Sequence, residues 1–234
     1  MSKRPRFTVV PGADEEEPSW HPLDEREGAR RGRAARHAPA EPRYVKNIVG
    51  KSDGQRRLLA AVEDSDIVMA IGPAGTGKTY IAIAKAVEAG ERIGFLPGDL
   101  NAKMDPYMRP LYDALFERMS PRQVMALIEQ KVIEIAPIGF MRGRTISNAA
   151  IVVDEAQNMT AGQLKMVLTR LGAGSFMVVT GDPDQVDLDD GDSGLVKVAE
   201  QIDGKVDSIA VVRLDETDVV RHPTVKALIP LLVA

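Results

Sequence analysis

Ile67-Val68-Met69-Ala70-Ile71-Gly72-Pro73-Ala74-Gly75-Thr76-Gly77-Lys78-Thr79 sets an unbroken apolar run before a glycine-rich turn, a lysine and a hydroxyl residue. Five apolar residues bounded by glycine read as a strand buried on both faces. The eight residues from Gly72 to Thr79 satisfy G-x-x-x-x-G-K-[ST] in full, and Thr79 to Ala89 reads as the helix that follows. A turn of this kind aims backbone N–H groups at a phosphate, and the helix N-terminus adds its partial positive charge. Gly72, Pro73, Ala74, Gly75, Thr76, Gly77, Lys78 and Thr79 are therefore the candidate nucleotide cradle. Lys78 brings a point charge to the β and γ oxygens, and the Thr79 hydroxyl is a ligand for Mg²⁺.

Such a cradle needs an acid held near the metal. Ile151-Val152-Val153-Asp154-Glu155 supplies one, an apolar strand ending in two carboxylates. Asp154 is read as holding the Mg²⁺ shell and Glu155 as orienting and polarising the attacking water. A second carboxylate beside the metal acid points to hydrolysis rather than phosphoryl transfer to a small molecule. The strand Phe176 to Thr180 ends in Gly181-Asp182-Pro183-Asp184-Gln185, and Gln185 is the candidate sensor of the γ-phosphate. Upstream, Gln55 precedes Leu58 and Leu59, where an amide could meet an adenine edge; by spacing alone it reads more often as a surface helix residue.

The surrounding chain alternates strand with helix. Helices are expected from Asp105-Pro106, from Ser120-Pro121 and after Thr160, whose pairing with Gln163 forms a capping box. Further strands are expected at Val132–Ala136, Ala149–Val153 and Ile209–Leu214. Continuous apolar strands separated by helices define an α/β fold whose mostly parallel sheet is covered on both faces.

Residues 1–46 differ. They hold ten Lys/Arg, eight Asp/Glu and only five Leu, Ile, Val or Phe, and so are read as a disordered charged tail. The basic block Arg30, Arg31, Arg33 and Arg36 in that tail is a candidate nucleic-acid contact. Residues 47–234 form the folded domain and carry 20 basic against 26 acidic residues, a net of −6. A domain that coats a duplex is usually basic, so any nucleic acid here is gripped by a local patch. Zero cysteines exclude disulfides, thiolate metal sites and cysteine nucleophiles. No apolar run reaches the length of a membrane span and the N-terminus lacks a signal peptide's apolar stretch, so a cytoplasmic protein is expected.

Taken together, GPAGTGKT, GFLPGDL (94–100), DPYMRPLYDAL (105–115), IEIAP (133–137), FMRGRT (140–145), DEAQN (154–158), LTRLG (168–172), VVTGD (178–182) and DVVRHP (218–223) resemble the PhoH-like ATPases. The resemblance runs from about Ile48 to the C-terminus. It implies a RecA-like P-loop core related to superfamily 1 helicases, ATP hydrolysis with Mg²⁺, ring-shaped homo-oligomers such as hexamers, and a role in RNA metabolism. It also implies an association with an endoribonuclease. By the same likeness Gln55 is the adenine-side glutamine and Arg221 an arginine finger, supplied in cis or from a neighbouring subunit. Arg142, Arg144 and Arg170 are assigned either to phosphate-backbone contact or to subunit contact.

In one place the chain departs from the family. Members carry a basic stretch, an apolar strand and a Thr-Arg-Pro turn between the first helix and GFLPGDL. Here Ala84-Lys85-Ala86-Val87-Glu88-Ala89-Gly90-Glu91-Arg92-Ile93-Gly94-Phe95 runs straight through, as if about twenty residues were missing. The expectation is a lost strand, an exposed sheet edge or gap, and weakened coupling of ATP to nucleic acid. Two functional readings follow: an ATPase directed to RNA or single-stranded nucleic acid, and a nucleotide-dependent assembly or scaffold protein that binds ATP with little hydrolysis.

Overall fold

The computed structural model describes residues 48–90, 92–97, 105–188, 193–220 and 224–225. The charged tail and Arg221 lie outside the described residues. Strands β1 (Ile67–Ile71), β4 (Ala149–Asp154) and β5 (Phe176–Gly181) are the apolar runs expected from sequence, and their side chains are buried on both faces. Along β1 the period of two divides them: Ile67, Met69 and Ile71 enter one core, Val68 and Ala70 the other. With β2 (Arg92–Pro97), β3 (Ile133–Ile135) and β6 (Ile209–Arg213) they form a six-stranded sheet in the order β3-β2-β4-β5-β1-β6. All five pairings are parallel.

Helices α1 (Asp53–Asp64), α2 (Lys78–Ala89), α3 (Asp105–Phe116) and α4 (Pro121–Glu129) cover one face through residues such as Leu58, Ile81, Leu115 and Val124. Helices α5 (Ala161–Leu168) and α6 (Leu195–Ile202) cover the other through Leu164, Val167, Leu195 and Val198. The box expected at Thr160 is present: the Gln163 N–H donates to Thr160 Oγ1 at 3.3 Å, and the Thr160 N–H to Gln163 Oε1 at 2.8 Å. Ser120 and Gln123 form a second box at the start of α4.

The expected gap in the sheet is not there. β2 lies between β4 and β3, with Arg92 opposite Ala149, Pro97 opposite Asp154 and Ile93 opposite Ile133. Arg92–Pro97 is itself a strand, paired with β4 along its whole length and with β3 over Ile93–Phe95, so the sheet is continuous and ends at β3 on this side and at β6 on the other.

This three-layer arrangement positions a site. The helix after β1 packs on one face, while those after β4 and β5 pack on the other. Chain paths therefore diverge at the carboxyl ends of β1 and β5, leaving the crevice where parallel α/β folds bind ligands.

Candidate nucleotide-binding site

The loop from Gly72 to Gly77 bridges β1 and α2 in that crevice. Gly72 has φ 152°, and a Cβ there would lie 2.3 Å from the Leu214 carbonyl oxygen. Gly75 (φ 85°) and Gly77 (φ 81°) are left-handed, so any other residue at these positions would be strained. The Thr76 hydroxyl donates to the Pro73 carbonyl at 2.9 Å and stiffens the turn. Lys78 is buried, and its ammonium donates to the carbonyls of Gly72 at 2.5 Å and Pro73 at 2.8 Å. Burial pushes the Lys78 pKa down, opposed by the charges of Asp182, Asp154 and Glu155.

Thr79 begins the contact with β4. Its hydroxyl donates to Asp154 Oδ1 at 2.8 Å, and the Thr180 hydroxyl from β5 donates to the same oxygen at 2.5 Å. Glu155 follows in the left-handed region at φ 55°, a turn that separates its side chain from the strand direction of Asp154. Its carboxylate accepts from Gln157 Nε2 at 2.6 Å. Burial and the neighbouring Asp154 charge, with Asp187 adding to them, raise the Glu155 pKa; the Gln157 bond and Lys78 work against the rise.

Gln157, 1% exposed, turns its other amide atom to the end of β5, where Oε1 accepts from the Asp182 N–H at 3.1 Å. Asp182 in turn ties three groups together. Oδ2 accepts from the Ala74 N–H and from Gln185 Nε2, both at 2.8 Å, and Oδ1 accepts from the Asp184 N–H at 3.1 Å. Gln185 thus reaches the cleft, but through Asp182. Ala74, Gly75, Gly77, Lys78, Thr79, Asp154, Glu155 and Gln185 line a cleft of about 270 Å³, with Tyr80, Gly181 and Asp182; Gly72, Pro73 and the buried Thr76 shape the loop without lining it. Thr180, Asp182 and Gln157 were not singled out from sequence. The one signal for Asp182 was its place directly after a buried strand.

Gln55 is neither on the surface nor projecting into the cleft. It is buried beneath the loop, where Nε2 donates to the Thr76 carbonyl at 2.9 Å and Oε1 accepts from the Lys51 N–H at 2.8 Å. From the other end of the chain the Val220 N–H donates to the Gly75 carbonyl at 3.0 Å. That bond holds the residue before Arg221 against the loop. Asp218, buried just upstream, accepts from the Gly54 N–H at 2.9 Å and the Asp215 N–H at 3.1 Å. Arg144 and Arg170 are engaged within the protein: Arg144 forks onto Glu134 at 2.7 and 3.1 Å, and Arg170 caps the end of α5 through the Met166 carbonyl at 3.0 Å.

The residues present fit a nucleoside triphosphate with magnesium. The glycines leave room where a Cβ would intrude, the helix start offers amides, and Lys78 is already among the loop carbonyls. Thr79 Oγ1 and Asp154 Oδ1, 2.8 Å apart, are spaced like neighbouring oxygens around an octahedral Mg²⁺, about 2.9 Å apart for ligands at 2.0–2.1 Å. The fold and this loop define a RecA-like P-loop protein.

Comparison with known proteins narrows that class. The model of the family described as "PhoH-like protein" matches residues 47–232, and the chain belongs to that family. A PhoH-like protein of Bacillus subtilis (strain 168) is 49% identical over 213 residues, covering 81% of this chain and 66% of that one. A PhoH-like protein of Mycobacterium tuberculosis (strain ATCC 25618 / H37Rv) is 48% identical, covering 80% and 58%. Protein PhoH of Escherichia coli (strain K12) is 38% identical, covering 77% and 57%. The chain thus spans between 57% and 66% of the length of these relatives. In the B. subtilis alignment 81% of 234 residues is about 190, against 213 aligned positions. Some twenty residues of that relative therefore have no counterpart here, in line with the shortened connection read from sequence. Among solved structures, the flagellar accessory protein FlaH from Methanocaldococcus jannaschii aligns over 79% of this chain and 75% of that chain at 11% identity, with a TM-score of 0.30. Among the described residues no helix is long and apolar enough to cross a membrane.

Proposed function

We propose that residues 47–234 form an ATPase domain that binds ATP with Mg²⁺ in this cleft, hydrolyses it, and couples turnover to RNA or other single-stranded nucleic acid. The observation that carries the reading is the meeting of Thr79 and Asp154 beside Glu155, which joins the phosphate loop to the strand that bears the acids. Bound magnesium supplies charge neutralisation at the β and γ oxygens. The loop amides and Lys78 hold the phosphates, Thr79 and Asp154 hold the metal, and Glu155 orients the attacking water. Gln185, steadied by Asp182, reports the γ-phosphate. Arg221 follows Val220, which is anchored to Gly75, and this adjacency supports its assignment as an arginine finger. Gln55 supports the loop from below and, by family likeness, faces the adenine side. Family likeness also suggests a homo-oligomeric, cytoplasmic protein with an endoribonuclease partner, and the shortened connection after α2 suggests weak stimulation by RNA.

Calorimetric titration of Mg·ATP into the full chain, beside phosphate release with and without single-stranded RNA, tests this. Glu155→Gln is expected to retain nucleotide and stop release. If the parent chain binds ATP yet releases no more phosphate than Glu155→Gln, the domain is a nucleotide-dependent scaffold instead.

A further inference from the structure

The segment joining β3 to β4 presents an aromatic ring and a guanidinium to solvent from a braced base. Ile138–Met141 is one turn of 3₁₀ helix whose two ends, Ile138 and Met141, are buried in the second core. Between them Phe140 is 69% exposed. An exposed apolar side chain is ordinary by itself; this one stands out because it is held on a braced turn two residues before an exposed arginine. Arg144 grips both oxygens of Glu134. Arg170 Nη1 donates to the Arg144 carbonyl at 3.1 Å, and the Ile146 N–H donates back to the Arg170 carbonyl at 2.9 Å. Two arginines are thus spent on holding the segment in place. The third, Arg142, is exposed and makes no ion pair among the described residues.

We propose that Phe140 and Arg142 form a contact site for single-stranded RNA, a base stacking on the Phe140 ring while a backbone phosphate meets Arg142. The site rests on the nucleic-acid reading above and gives it a place on the molecule. Stacking on an aromatic face and a nearby cation are the two elements from which sequence-tolerant single-strand binding is built. The charge argues for this occupant over a second copy of the chain. Arg144 is matched by Glu134, but Arg142 and Arg170 form no ion pair among the described residues, and a second copy would bring the same two charges against itself.

Anisotropy of a fluorescein-labelled oligouridylate, titrated with the full chain at several salt concentrations, tests the site. Phe140→Ala is expected to weaken binding about 5- to 100-fold without changing the salt slope, and Phe140→Tyr to keep it. Arg142→Gln is expected to weaken binding and flatten the slope of log K against log salt by about 0.7, one phosphate contact of a single strand. Mg·ATP binding by calorimetry should be the same in all three variants, so a failed nucleotide site is recognised separately. If the parent binds the oligonucleotide and Phe140→Ala binds it equally well, the site is wrong while the RNA reading stands. If the parent does not bind it, both fall. If Phe140→Ala instead lowers the mass in solution and leaves RNA affinity alone, the ring belongs to a contact between copies.

Discussion

Lys78, Thr79, Asp154, Gln157, Thr180 and Asp182 each hold another protein group, whereas on the segment that follows the edge strand β3 Phe140 and Arg142 face water. The first set is a buried network in which one oxygen, Asp154 Oδ1, serves two hydroxyls, and one residue, Asp182, serves a loop amide and a sensor. The second is a surface on which each side chain acts alone. Substitutions within the cleft should therefore couple strongly, and those on the surface should add.

The largest effect is expected from Lys78→Ala. Removing the ammonium strips the Gly72 and Pro73 carbonyls of their donor and the phosphates of their cation, and should cost ~10²–10³-fold in phosphate release. Next comes Gln157→Leu, which frees the Glu155 carboxylate from its tether and the Asp182 amide from its acceptor. It should slow turnover about tenfold in the parent and add nothing to Glu155→Gln, a coupling of about 1–2 kcal/mol in a double-mutant cycle. Additive losses would show that the two side chains act separately.

Asp218 offers a test of the strap that ties the C-terminal segment to α1 and the loop. Burial works against its charge, but the Ser52 hydroxyl, the Asp215 and Gly54 amides and Arg57 prevail, holding its pKa below the usual aspartate range. A carboxyl group depressed in the folded state stabilises fully above its unfolded pKa, about 3.9, and loses that contribution as pH falls through the folded value. Asp218→Asn would point an amide donor at an N–H, and should cost about 1–3 kcal/mol in urea unfolding at neutral pH. The gap should close below about pH 4. Smallest is Arg144→Ala. The bidentate pair with Glu134 is half exposed, so a loss of about 0.5–1 kcal/mol, shrinking with added salt, is expected.

What could be read in advance follows the same division. The phosphate loop is legible because its chemistry demands particular residues at fixed intervals. β1, β4 and β5 are legible because burial on both faces leaves no room for a polar letter. β2 is not: Arg92-Ile93-Gly94-Phe95-Leu96-Pro97 opens on a charge, carries a glycine and ends on a proline. It becomes a strand through its two neighbours, a non-local fact. Gln157, Thr180 and Asp182 were missed for a related reason. Their partners come from different strand ends, and no local pattern marks a residue whose partner is 25 or more positions away. Gln55 shows the reverse case. Its type was noticed, but its burial beneath Thr76 depends on how α1 docks.

The path from α2 to β2 is very short: only Gly90, in the left-handed conformation at φ 65°, and Glu91 separate Ala89 from Arg92. That is the short end of the range for such connections in α/β folds. Lys78 and Thr79 stand at one end of α2, and β2 begins just beyond the other. The helix whose first turn builds the phosphate cradle thus runs almost directly into the strand wedged between β4 and β3.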